Sequence, residues 1–74
     1  MDISATIQKC YRVDRRQIYF LRFFLEGYDG IALIRTLDPE KGIVLVYIAP
    51  GCEEDVKVVL EDLSNEMMIK EERL

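Results

Sequence analysis

Apolar positions along the chain recur with two different periods, and the switches between them mark out the elements. Ala5 to Val13 predicts a first strand, with Ile7, Tyr11 and Val13 on one parity and Lys9 interrupting it. Asp14 predicts a helix start. Its carboxylate can accept the free amide protons of the first turn, while Gln17, three residues on, reaches back in a near capping box. The helix runs to about Glu26 and stops at Gly27. At roughly 100° per residue, Ile18, Phe20, Leu21, Phe24, Leu25 and Tyr28 fill a broad core-facing arc. Tyr19 and Phe23 fall outside it, one turn apart beside Arg22 and Glu26, so an exposed aromatic pair is expected.

Tyr28-Asp29-Gly30 breaks the chain, and Ile31 to Leu37 follows as a β-branched and apolar run charged only at Arg35, a second strand. Asp38-Pro39-Glu40-Lys41-Gly42 predicts the turn of a hairpin. Asp caps the turn locally, Pro fixes φ, and Gly accepts a left-handed conformation. Ile43 to Ala49 is apolar throughout, the mark of a central strand covered on both sides, and Pro50-Gly51 ends it. Glu53, Glu54 and Asp55 suit the positive end of a helix, along which Cys52, Val56, Val59, Leu60 and Leu63 repeat at helical spacing to about Asn65. Met67 to Lys70 adds a short fourth strand before a charged tail, Glu71-Glu72-Arg73.

The resulting order, β-α-β-β-α-β, predicts an α+β fold of ferredoxin-like type: a four-stranded antiparallel sheet with two helices on one face and the first and third strands central. Residues 1–74 read as a single domain, with no linker, low-complexity stretch or repeat.

Composition narrows the partners. A chain of 74 residues buries only about 60% of its unfolded surface, but with half its residues hydrophobic it lies far from the disordered class. A net charge of -4 and an isoelectric point near 4.7 disfavour phosphate backbones, so neither nucleic acid nor an anionic membrane is expected as a partner. Cys10 and Cys52 form no CxxC pair and give no zinc or iron–sulfur spacing. Without a secretory leader or an apolar run approaching about 18 residues, the chain reads as cytoplasmic, with both thiols reduced and packed as small hydrophobes.

Little catalytic chemistry is visible. No histidine occurs, which removes the usual general base near neutral pH and the commonest metal ligand. Glu53, Glu54 and Asp55 are adjacent on a helix and diverge around its axis, so solvated charges are expected there instead of a metal site. Cys52 near a helix start has the position of an activated thiol, but three neighbouring carboxylates disfavour a thiolate and the residue begins an apolar stripe. Arg15 and Arg16 beside Asp14 are the best candidates for holding a small anion at a helix start, against the simpler reading that they decorate a start already capped by Asp14. Lys41-Gly42 matches the opening of the third strand of RNA-recognition modules. The positions that follow, Ile43, Val44 and Leu45, lack the stacking aromatics, which leaves only Tyr47.

The stretch Phe23-Phe24-Leu25-Glu26-Gly27-Tyr28-Asp29-Gly30-Ile31-Ala32, with the turn and apolar strand that follow, resembles a family of short uncharacterised bacterial proteins along nearly the whole chain. That family is similar in predicted topology to ACT-like regulatory domains, which bind amino acids between the sheet and a helix start, often at a dimer interface. Where such domains carry an Asp-x-Pro-Gly type of loop, this chain has Asp14-Arg15-Arg16-Gln17 and shares only the Asp.

Two functions are therefore expected as alternatives. The first is an interaction or scaffold module, without cofactor, that acts as a homo-oligomer, a dimer in the first instance. Its contacts would involve Tyr19 and Phe23 on the helix and Leu45, Val46 and Tyr47 on the central strand, since both parities of that strand are apolar and the helices cover only one of them. The second is an ACT-like sensor that binds a small acid or amino acid near Asp14, Arg15 and Arg16.

Overall fold

The computed structural model describes residues 7–27 and 30–73. Ala5 and Thr6 of the expected first strand, the Tyr28-Asp29 break and the place of Tyr28 in the helical arc lie outside the described residues. The elements are β1 (Ile7–Val13), a single 3-10 turn (Arg15–Gln17) continuing into α1 (Ile18–Gly27), β2 (Ala32–Asp38), β3 (Ile43–Ile48), α2 (Glu53–Leu63) and β4 (Ile69–Glu72). The strands form one antiparallel sheet in the order β2-β3-β1-β4, which places β3 and β1 at its centre.

Strand parity divides the sheet into two faces. On β3, Val44, Val46 and Ile48 join Tyr11 and Val13 of β1, Ala32 and Ile34 of β2, Ile18, Leu21 and Leu25 of α1, and Val56, Leu60 and Leu63 of α2 in one buried cluster. Both helices therefore pack on this side. Their buried residues stand three and four positions apart, which is the stripe that helical periodicity requires. The alternate residues, Ile43, Leu45 and Tyr47 on β3 with Gln8, Cys10 and Arg12 on β1, point to the other face.

The hairpin between β2 and β3 closes as the sequence implies. One Asp38 carboxylate oxygen accepts the amides of Glu40 and Lys41, each at 3.0 Å. Gly42 has φ 74° and carries a second constraint, because a Cβ there would overlap the Val13 carbonyl. Only glycine lets the turn approach β1 so closely, and the Val13 amide donates to the Gly42 carbonyl at 2.8 Å.

Several local expectations are corrected. No capping box closes around Asp14, since its amide donates instead to the Met68 carbonyl at 3.3 Å, tying the helix start to the approach of β4. Phe20 and Phe24 are 36% and 38% exposed, on the shoulder of the arc instead of in the core, with their rings edge to face at 4.8 Å. A ten-residue helix on a small sheet has room beneath it for one stripe, which Ile18, Leu21 and Leu25 fill. The fourth strand begins two residues later than Met67, because the Met67 amide still donates to the Leu63 carbonyl at 3.0 Å and its buried side chain closes the helix end. Glu71 and Glu72 consequently belong to β4 and not to a tail. A charged edge strand is a known guard against edge-to-edge pairing.

Candidate functional site

At the start of α1 the Asp14 carboxylate is already occupied. Its Oδ1 accepts the Arg16 amide at 3.0 Å and the Arg16 Nε at 3.3 Å, and its Oδ2 accepts the Arg16 Nη2 at 3.3 Å. The guanidinium holds the Asp14 carboxyl below the usual carboxylate range, and the carboxylate in turn pushes Arg16 upward. Asp14 and Arg16 thus form a cap closed on itself, and Arg15 projects as an exposed cation beside it. The three residues proposed to hold an anion are brought together, with the negative charge of Asp14 standing where that anion would sit.

The outer side of α1 is a second candidate. Tyr19 and Phe23 are 81% and 73% exposed, and Phe23 packs edge to face on Phe24 at 6.1 Å. Arg22 on the flank donates to the Thr36 hydroxyl at 3.3 Å, and Glu26 accepts the Ile34 amide at 3.1 Å. Glu26 thereby engages an outward-pointing amide on the outer edge of β2. Sequence reasoning missed this role, because Glu26 and Ile34 are eight residues apart on different elements.

The third candidate is the sheet face away from the helices. Val46 lies fully buried under the helices and so drops out of the candidate interface, whereas Leu45 and Tyr47 face the other way. Leu45 is only 8% exposed, flanked across the strands by Cys10 and Arg35. Leu33, which stands opposite Tyr47, is 58% exposed, and Leu37, unpaired inside the irregularity between Thr36 and Asp38, is exposed as well. The apolar strip therefore runs along β2 and β3, while Gln8, Arg12, Lys70 and Glu72 make the β1 and β4 half of this face polar. Leu33 was missed as a candidate although it shares the parity of Arg35.

Chemistry proper is sparse. Cys10 lies buried on that same face, where burial, reinforced by Glu72, pushes its thiol up and away from the reactive thiolate. Burial and Glu71 likewise raise the Tyr11 phenol. Cys52 stands at the start of α2 without a side-chain cap bond and packs against the core. Among the described residues, no group of three or more His, Cys, Asp or Glu side chains could hold a metal ion, and no helix is long and apolar enough to cross a membrane. A groove of about 500 Å³ opens between α2 and the helix-side surface of β1 and β4. Tyr11, Ile48, Val56, Leu60 and Ile69 form its apolar floor, and its rim holds Glu53, Glu54 and Glu61 together with Lys57 and the Lys9–Glu71 ion pair at 3.6 Å.

A family model described as a domain of unknown function, DUF4911, matches residues 11–67, and the chain belongs to that family. No curated protein and no solved structure matches it.

Proposed function

We propose that this member of the family is a homo-oligomeric interaction module whose primary self-contact is the sheet face away from the helices. The observation that carries the reading is the apolar strip of Leu33, Ile43, Leu45 and Tyr47 on a face to which neither helix contributes. The gain falls mainly on Leu33, at 58% exposure, since Leu45 is already 8% exposed, and full burial of an exposed side chain of that size is worth about 1.5 to 3 kcal/mol. A domain of this size has little other apolar area to draw on. A two-fold contact places the same strip on both partners, so that apolar side chains meet apolar side chains and the polar β1 and β4 half forms the rim.

Paired substitutions at successive positions of β3 test it. Val46→Glu puts a charge beneath the helices and unfolds the domain. Leu45→Glu, or Leu33→Glu at a more exposed position, gives a folded monomer. Sedimentation of the wild type as a monomer at tens of micromolar, or variants at 33 and 45 that remain associated, would count against the proposal.

A further inference from the structure

We infer that the aromatic outer side of α1, flanked by Arg15 and Arg22, docks into the acid-rimmed groove beside α2 of a second copy of this chain. The inference rests on the homo-oligomeric reading but uses the helix layer, not the sheet face. Tyr19 and Phe23 are the two most exposed large apolar side chains among the described residues, and the cations that flank them are Arg15 and Arg22, Arg16 being held by Asp14. The groove offers the complement: an apolar floor for the rings, and Glu53, Glu54 and Glu61 on a rim whose Lys9 is already held by Glu71.

Charge is unevenly placed in the helix layer: Arg15 and Arg22 stand beside the aromatic pair, with the Glu26 carboxylate accepting the Ile34 amide, while α2 exposes Glu54, Asp55, Glu61 and Asp62 against Lys57. Opposite potentials on two patches of one chain steer copies together and fix their orientation. Tyr and Arg are the residue types that most often dominate contact energies. A groove of about 500 Å³ is within the range that seats compact apolar groups. Since the contact lies on the layer opposite the sheet face, it joins sheet-paired dimers into larger assemblies.

Sedimentation equilibrium of charge-swapped chains tests the contact. Arg15→Glu with Arg22→Glu on α1, and Glu54→Lys with Glu61→Lys on the groove, each weaken this step about tenfold or more. An equimolar mixture of the two variants recovers the wild-type mass, because each supplies the charge the other lacks, and misfolded chains could not produce that recovery. Wild-type assemblies also fall back to the sheet-paired species in about 1 M salt, where charges interact over only about 3 Å. Variants that keep the wild-type mass, or a mixture that does not recover it, overturn the inference and leave the groove to a different cationic partner. The two contacts fail separately: substitutions at Leu33 or Leu45 report on the sheet face in either salt, and the charge swaps report only on the helix layer.

Discussion

Gly42 is the residue on which the hairpin geometry turns. A left-handed conformation costs an ordinary residue roughly 1 to 2 kcal/mol, and at φ 74° a Cβ would also overlap the Val13 carbonyl. Gly42→Ala should therefore lower the urea midpoint by more than Gly30→Ala, since Gly30 has φ 65° but open space around its missing Cβ. Equal effects would mean that the close approach to β1 contributes nothing. Titration offers two further checks. The Asp14 carboxyl is lowered by Arg16, so its contribution is complete above the ordinary value of about 3.9 and is lost as pH falls through the lower folded value. The thermal midpoints of wild type and Asp14→Ala should thus differ near neutrality and converge in acid. Cys10 and Tyr11 are shifted upward, so their contribution is complete below the ordinary thiol value of about 8.5 and is lost as pH rises through the raised values. Alkaline thermal melts should show that decline, and native Cys10 should react with iodoacetamide more slowly than Cys52.

At the scale of elements, the two edges of the sheet are guarded differently. Strand β4 carries Lys70, Glu71 and Glu72, and charge alone makes it a poor template for pairing. Strand β2 carries exposed Leu33 and Leu37 and relies on α1, whose Glu26 accepts the Ile34 amide. A carboxylate acceptor at an exposed site is worth about 1 kcal/mol or less. Glu26→Ala should consequently speed hydrogen exchange at the Ile34 amide several-fold and leave Val44 and Val46 protected. Uniform acceleration across β3 would show instead that Glu26 supports the whole fold. The substitution pair Tyr19→Ser and Phe23→Ser lies on the solvent side of the same helix and should leave the melting temperature of the dissociated chain unchanged, because Ile18, Leu21 and Leu25 carry the packing.

For the whole molecule, the arrangement is a sheet with one face under helices and an apolar strip on the other, and the proposed self-association predicts a stability that depends on concentration. The wild-type melting temperature should rise with protein concentration, and that of Leu33→Glu should not, since only the associating chain gains free energy from mass action. The element order was legible from residues 7 to 73 because period and turn chemistry agree locally: Asp38 to Gly42 specified the hairpin, and Val56, Leu60 and Leu63 specified the stripe of α2. The exposed pair Tyr19 and Phe23 was legible for the same reason, as helical periodicity alone puts them off the core arc. Parity on β3 was not, because Ile43 to Ile48 is apolar on both faces and a one-residue slip exchanges them. Pairing with β1 and β2 decided that Val46 lies under the helices and Leu45 does not. Contacts between distant residues were likewise invisible in the chain: Asp14 with Met68, Glu26 with Ile34, and the groove walled by α2, β1 and β4. Sequence by itself determined what each segment becomes, since local propensity and turn geometry act within a few residues. Only the tertiary structure decided which side of each segment meets which partner, because that choice depends on the register of strands far apart in the chain.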